Sequence, residues 1–294
     1  MVEISVVIPT FNRSGMVLRA VESALTQDHP SFEVIVVDDG STDDTRNLVR
    51  AGKRLKFLVH PSNRGVSAAR NSGIRYSSGR LITFLDSDDY WMPGKLTKQA
   101  AFFSDNPSAV ACQTDERWIR NGVRVNPGRR HRKPSGDIFL QSLELCVVSP
   151  SAVMLKRTLL QEVGLFDERL SACEDYDLWL RISHRHPVHL IPEQLVVREG
   201  GRNDQLSASF PGMDLFRIRS LVKLISSCDL SRDQRAAAVD MLARKSRVYA
   251  AGCIKRGRLQ EAMLIHSVSN RAAGALAGGR PPSAGEIPVR LLKG

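Results

Sequence analysis

The chain has 294 residues, 42% of them hydrophobic, which is enough for one large α/β domain with an appendage and a core that needs no disulfide or metal staple. Its five cysteines (Cys112, Cys146, Cys173, Cys228 and Cys253) form no C-x-x-C pair, which excludes a zinc ribbon or a thioredoxin-type redox motif and suits free thiols in a reducing compartment. The net charge is +11, and from Phe216 onward 15 Lys and Arg stand against 5 Asp and Glu, so nearly all the excess lies in the last quarter.

From residue 4 to about 113, short β-branched runs alternate with amphipathic stretches. Strands are predicted at Ile4 to Ile8, Glu33 to Val37, Leu55 to Val59, Leu81 to Leu85 and Ala109 to Cys112. Helices are predicted between them at Gly15 to Thr26, Thr42 to Val49, Val66 to Tyr76 and Lys95 to Phe103. This alternation implies a twisted, mostly parallel sheet flanked by helices, whose ligands bind beyond the carboxyl ends of the strands. Asn121-Gly122 marks a hairpin between Arg117 to Arg120 and Val123 to Val125, and the basic loop Arg129 to Lys133 follows. A helix near Ile138 to Glu144, a strand near Ala152 to Leu155, helices at Thr158 to Val163 and Asp175 to His184, and an extended segment at Val188 to Val197 come next. Helices at Asp214 to Ser226, Arg232 to Ile254 and Leu259 to Ser267 form a basic helical appendage, its last part similar to one tetratricopeptide unit. The expected divisions are 1–113, an α/β part that binds a nucleotide; 114–212, an acceptor-binding and catalytic part of the same domain; 213–272, the appendage; and 273–294, a flexible tail rich in Gly, Ala, Pro and Arg.

The N-terminus enters an apolar strand without a basic start, and no apolar run approaches the ~20 residues that cross a bilayer. A soluble, cytoplasmic protein is expected, attached at most to the inner face of the cell membrane, where the basic appendage suits an anionic lipid surface.

Three polar clusters follow predicted strands. Pro9-Thr10-Phe11-Asn12-Arg13 ends the first, Asp38-Asp39-Gly40-Ser41-Thr42 the second and Asp86-Ser87-Asp88-Asp89 the fourth. Asp86 and Asp88, one residue apart, can hold a hard divalent cation while leaving positions for phosphate oxygens, although such a turn can also simply cap the next helix. Counted from Asp86, position 6 is Trp91 and position 12 is Thr97, which excludes a calcium hand. An acid at a buried strand end, such as Asp39, can accept from a base N–H or a ribose hydroxyl, and Gly40 allows close backbone approach. Arg70, on the helix opened by Asn63-Arg64-Gly65, can reach a diphosphate. Cys173-Glu174-Asp175-Tyr176-Asp177 places three acids in a helix's first turn, where they suit the macrodipole and where one can serve as general base. His184, His186 and His189 follow a helix ending and fit its C-terminal charge better than a zinc site.

Taken in order, Ile8 to Arg13, Val37 to Ser41, Asn63 to Asn71, Leu85 to Asp89 and Glu174 to Trp179 resemble family-2 glycosyltransferases of the GT-A fold over roughly residues 3 to 200. The resemblance implies an inverting, non-processive transfer of a sugar from a nucleoside-diphosphate sugar, with UDP the expected nucleotide, to a hydroxyl of a glycan or lipid-linked acceptor. By the same resemblance Thr10 and Asp39 contact the base and ribose, with Pro9, Asn12 and Ser87 beside them, and Arg70 lies near the phosphates. Asp86 and Asp88 form the motif for Mn2+ or Mg2+, with Asp88 the leading ligand, and Asp175 is the catalytic base. Glu174 and Arg202 are candidate loop contacts, Arg202 lying where relatives carry a mobile loop over the diphosphate. Polysaccharide, lipopolysaccharide or glycolipid assembly is the implied setting. Gln113 and Arg117-Trp118 are one residue too far apart for the Gln-x-x-Arg-Trp motif of processive synthases and precede Asp175.

Three alternatives compete. A sugar-1-phosphate nucleotidyltransferase needs a Gly-rich loop after the first strand, where Pro9 to Arg13 stands. A catalytically silent glycan- or membrane-binding module has no need of both the metal motif and the base-helix acids. Nucleic-acid binding is disfavoured by 6% aromatics and the absence of a reader motif.

Overall fold

The computed structural model describes residues 2–126, 128, 131–201 and 212–277. The strands are β1 (Ile4–Thr10), β2 (Phe32–Asp38), β3 (Leu55–Val59), β4 (Leu81–Phe84), β5 (Tyr90–Trp91), β6 (Ala111–Arg120), β7 (Val123–Val125), β8 (Val153–Lys156) and β9 (His189–Gly200). The helices are α1 (Ser14–Leu25), α2 (Thr45–Leu48), α3 (Val66–Tyr76), α4 (Lys95–Asp105), α5 (Phe139–Glu144), α6 (Arg157–Val163), α7 (Glu174–Ser183), α8 (Asp214–Ser227), α9 (Arg232–Lys255) and α10 (Leu259–Ala277). The chain divides into two compact units: one of Met1–Ile138, Val147–Glu168 and His186–Gln205, the other of Phe139–Cys146, Arg169–Arg185 and Leu206–Gly294.

The first unit is built on a nine-stranded sheet of order β3-β2-β1-β4-β8-β6-β9-β5, with β7 paired to β6. Every residue of β1 and β2 is buried, as expected of strands covered on both faces. β1 runs parallel to β2, with Ile4 opposite Phe32 and Thr10 opposite Asp38, and parallel to β4, with Val7 opposite Phe84. The carboxyl ends of these three strands therefore open on one edge, where such sheets take their ligands. Beyond β4 the sheet changes character: β8 is antiparallel to both β4 and β6, and β9 returns parallel to β6. Two glycines set the spacing. A Cβ on Gly73 would run into the Val7 side chain where α3 lies on β1, and a Cβ on Gly40, whose φ is +80°, would meet the Ser62 carbonyl carbon at 2.6 Å.

Most predicted elements stand, and the differences have local causes. The helix expected over Thr42 to Val49 shrinks to one turn because Asp43 takes up the backbone first: its carboxylate accepts from the Thr45 amide (3.1 Å) and hydroxyl (2.6 Å) and from the Ser14 amide (2.9 Å). The strand expected at Ala109 to Cys112 and the first arm of the hairpin are one strand, β6, which bulges near Asp115 to stay in register with β9. Asn121 and Gly122 have φ of 48° and 76°, which makes the tight hairpin turn that this dipeptide signals. The short β5, not expected, pairs Tyr90 with Val197 and Trp91 with Val196.

In the second unit, α5, α7, α8, α9 and α10 share an apolar core that includes Tyr176, Leu221, Ile225, Leu242, Cys253 and Ile265. Ser231 opens α9 with a capping box: its hydroxyl accepts from the Gln234 amide (3.2 Å), and the Gln234 side chain accepts from the Ser231 amide (3.1 Å). The last helix continues past the expected end at Ser267, because Ala262, Ile265, Val268, Ala272 and Ala275 keep helical spacing and are all buried. Among the described residues, no helix is long and apolar enough to cross a membrane.

One buried acid ties the amino ends of the parallel strands. Glu33 accepts from the hydroxyls of Ser5 (2.7 Å) and Ser78 (2.8 Å) and the Ser78 amide (2.7 Å), and pairs with Lys56 at 2.7 Å. Burial opposes its charge, but the Lys56 pair and the Ser78 and Ser5 hydrogen bonds win and draw its pKa down to about 2. A carboxylate with a depressed folded-state pKa stabilises above its unfolded value and loses that contribution as pH falls through the folded one. Glu33→Gln should therefore cost about 2–3 kcal/mol at pH 7, with the difference from wild type shrinking below about pH 4.5 and vanishing near pH 2. Urea unfolding across that range measures it; a pH-independent difference would show that packing, not charge, sets the loss.

Candidate active site

Thr10 ends β1 and is 3% exposed, and its hydroxyl has no hydrogen-bond partner among the described residues. Its carbonyl accepts from the Asp39 amide at 2.9 Å, so the β1 and β2 loops leave the sheet together. Pro9, buried one residue earlier opposite Val37, fills the sheet. Asn12 stands at φ 50° and bridges to the second loop: its amide donates to the Ser41 hydroxyl (2.9 Å) and its side-chain oxygen accepts from the Thr42 amide (2.8 Å).

Asp38 and Asp39 are both buried but serve differently. Asp38 accepts from the Ser41 amide (2.9 Å) and Arg46 Nε (3.2 Å), which fixes its own turn. Asp39 reaches across to the loop after β3, where it accepts from the Arg64 amide (3.0 Å) and the Gly65 amide (2.7 Å) and lies 2.7 Å from His60 Nδ1. His60 Nε2 in turn lies 2.9 Å from the Ser72 hydroxyl on α3. A lone histidine at the end of β3 carries no motif, so sequence reasoning passed it over.

The acid turn after β4 is the most heavily braced part of the site. Arg70 is almost fully buried on α3, pairs with Asp86 at 2.7 Å and lies 5.2 Å over the Phe166 ring. Arg13, from the first loop, pairs with Asp88 at 2.5 Å, and Ser87 between the two acids is buried. The third acid, Asp89, points inward: it accepts from the Ser151 hydroxyl at 2.6 Å and from the Glu199 amide of β9 at 3.2 Å, while Ser151 Oγ accepts from the Asp86 amide at 3.1 Å. Burial first, then the charges of Asp86 and Asp88, push the Asp89 carboxyl well above its ordinary range. Behind the turn, Trp91 Nε1 donates to the Ser151 carbonyl at 2.8 Å. The fully buried Lys95 ammonium lies 4.1 Å over the Trp91 ring and donates to Gln99 at 2.6 Å, and burial draws its pKa down to about 7. Asp89 was visible as the end of the motif and Lys95 as a helix start, but neither inward direction follows from spacing.

Among the described residues no three His, Cys, Asp or Glu side chains cluster so as to hold a metal ion. Asp86 and Asp88 are a two-carboxylate donor set of hard oxygens, which fits a cation that fills its remaining positions with water and phosphate oxygens.

In the second unit, α7 begins after Cys173, which stands at φ 57°. Glu174 and Asp177 are buried and Asp175 is partly exposed. Asp177 is committed to Arg181 (2.9 Å) and Lys223 (3.0 Å). The Asp175 carboxylate instead accepts from the neighbouring Tyr176 amide at 2.7 Å and from the Cys146 thiol at 3.1 Å. Arg202 lies outside the described residues.

Residues 5–164 match the family model described as glycosyl transferase family 2. The chain belongs to glycosyltransferase family 2. It is 34% identical over 225 residues to an uncharacterized glycosyltransferase of Rickettsia felis, a match that covers 75% of this chain and 37% of that relative's length. It is 33% identical over 181 residues to Escherichia coli WfgD, named as a UDP-Glc:alpha-D-GlcNAc-diphosphoundecaprenol beta-1,3-glucosyltransferase, with 61% of this chain and 69% of WfgD covered. The fold is similar to that of Staphylococcus aureus TarS residues 1–349 solved with UDP-GlcNAc, at a TM-score of 0.73 and 22% identity, covering 98% of this chain and 82% of that one. The curled, mostly parallel sheet with its C-terminal helices is thus a GT-A type fold of this family.

Among the described residues, the Ser151 hydroxyl serves both the Asp86 amide and Asp89. Ser151→Ala should lower stability by about 1–3 kcal/mol, the range for orphaning buried polar groups, read by chemical denaturation at pH 7. A loss below a few tenths would mean that water replaces the hydroxyl.

Proposed function

We propose that the chain transfers a sugar from a UDP-sugar to a hydroxyl of a lipid-linked glycan acceptor, with inversion, at the inner face of the cell membrane during cell-envelope glycan assembly. The observation that carries the reading is the gathering of Thr10, Asp39, Arg70 and the Asp86-Ser87-Asp88 turn at the carboxyl ends of β1, β2 and β4. The names of WfgD and of WfaP, a second E. coli relative 30% identical over 186 residues, and the UDP-GlcNAc held by TarS support the donor and acceptor classes.

In this reading the buried Thr10 hydroxyl, otherwise without a partner, meets the nucleotide together with Asp39, whose loop the Arg64 and Gly65 amides hold still. Pro9 and Asn12 shape that pocket, Asn12 by clamping the two loops together. Arg70 and Arg13, now paired with Asp86 and Asp88, bring positive charge to the place where a diphosphate leaving group develops its own negative charge. Asp88, with Asp86 beside it, would hold a divalent cation, Mn2+ or Mg2+, which would supply further neutralisation of that diphosphate, and Ser87 between them would contact the donor. Asp175 takes the proton from the acceptor hydroxyl; the partly exposed carboxylate is oriented by the Tyr176 amide and the Cys146 thiol. One base and one charged leaving group suffice for a single displacement, which inverts the anomeric carbon without a covalent intermediate. Glu174 and Arg202 complete the loop contacts proposed around the donor.

Transfer from UDP-glucose and UDP-N-acetylglucosamine to a polyprenyl-diphosphate N-acetylglucosamine acceptor, followed by release of UDP, tests the reading. Asp88→Asn should abolish Mn2+-dependent turnover and the thermal stabilisation by UDP-sugar plus Mn2+; full activity in the presence of a chelator would remove the metal assignment. Asp175→Asn should keep donor binding within a few fold while turnover drops ~100-fold or more, the scale of a lost general base. Unchanged turnover in that variant would move the role to another acid.

A further inference from the structure

The second unit carries a surface that the transfer reaction does not use. From Met241 to Gln260 the chain holds six cations, Arg244, Lys245, Arg247, Lys255, Arg256 and Arg258, and no acid. The buried face of α9 presents Leu242, Ser246, Tyr249, Ala250 and Cys253 to the core, so the opposite side is turned to solvent. On that side Arg244, Arg247, Ala251 and Ile254, and likewise Arg244, Val248, Ala251 and Lys255, follow one another at helical spacings of three and four. Val248 and Ile254 are 66% and 52% exposed, and Leu259 and Met263, one turn apart at the start of α10, are 59% and 71% exposed. Arg244 pairs with Asp240 and Arg258 with Glu261, while Arg247, Lys255 and Arg256 make no ion pair among the described residues.

Single exposed aliphatic side chains are ordinary on a solvated surface, but here Val248, Ile254, Leu259 and Met263 fall within one short run of cations. Cations that reach phosphates, interleaved with aliphatic groups that enter the acyl boundary, are the combination by which a helix lies in a bilayer interface. We infer that the outer face of α9, continued by the α9–α10 turn, docks on the headgroups of an anionic phospholipid membrane. This deepens the lipid-linked acceptor reading by supplying the surface that brings the protein to such an acceptor. The binding measurement involves no sugar transfer, so the two ideas stand or fall separately.

The test is co-sedimentation of the full chain with sucrose-loaded vesicles. Binding is expected to vesicles containing phosphatidylglycerol and not to pure phosphatidylcholine, and it should weaken steeply between low and high salt. Arg247→Gln/Lys255→Gln/Arg256→Gln should weaken partitioning by on the order of 100-fold, about fivefold for each cation removed near a charged surface. Val248→Ser/Ile254→Ser should weaken it while leaving its salt dependence. All five positions are exposed, so melting curves should match wild type and separate a docking defect from misfolding. The inference is overturned if wild type ignores phosphatidylglycerol or if both variants bind as wild type does. It is equally overturned if sedimentation velocity shows self-association that Val248→Ser/Ile254→Ser abolishes without vesicle binding, or if the face retains RNA and not vesicles.

Discussion

Three carboxyl groups within four residues, Asp86, Asp88 and Asp89, stand at the end of one strand, and much of the first unit is arranged around keeping them there. Like charges held this close along the chain repel one another, so each acid needs its own compensation. Asp86 takes Arg70 from α3 and Asp88 takes Arg13 from the β1 loop. Asp89 is buried where its protonated form is favoured, and it spends its oxygens on Ser151 and on the amide of Glu199. Those two contacts join the antiparallel half of the sheet to the parallel half. The unexpected strand β5 belongs to the same device, since it ties Tyr90 and Trp91 to β9 immediately after the acids.

A second theme is the division between polar groups that hold the site and groups left for a ligand. Asp39, Asp38 and Asn12 resemble one another on paper, yet in the fold each has its oxygens engaged by neighbouring loops. Such engagement fixes the geometry of these loops within the protein itself, so no binding energy has to be spent on ordering them. Thr10 differs: its buried hydroxyl has no hydrogen-bond partner among the described residues, a costly arrangement it shares with other buried hydroxyls such as Ser67 and Ser142. The first turn of α7 shows the same sorting. Asp177 is closed off by two cations, whereas Asp175 stays partly exposed and is met by the Tyr176 amide and the Cys146 thiol.

The alternation of apolar runs and the turn residues between them were enough to place β1 to β4, α1, α3, α4 and the Asn-Gly hairpin, because those elements answer to local rules: burial on both faces, helical spacing and positive-φ turns. The order of five motifs along the chain was likewise enough to indicate the family, since strand ends in an α/β sheet must deliver their loops to one edge. What residue order left open was direction. Nothing in Asp86-Ser87-Asp88-Asp89 says that the last acid faces inward to Ser151, and nothing in the sequence marks His60 or Lys95 as partners of Asp39 and Trp91. The Asp39–His60 and Asp89–Ser151 contacts join segments distant in sequence and exist only once the sheet has brought β3 beside β2 and β8 beside β4, whereas Lys95 reaches Trp91 from four residues away, between β5 and α4. Local propensity determined where the chain would turn and which residues would be buried; tertiary packing decided which buried polar groups would meet, because a hydrogen bond between distant segments depends on ångström-scale placement that no periodicity encodes.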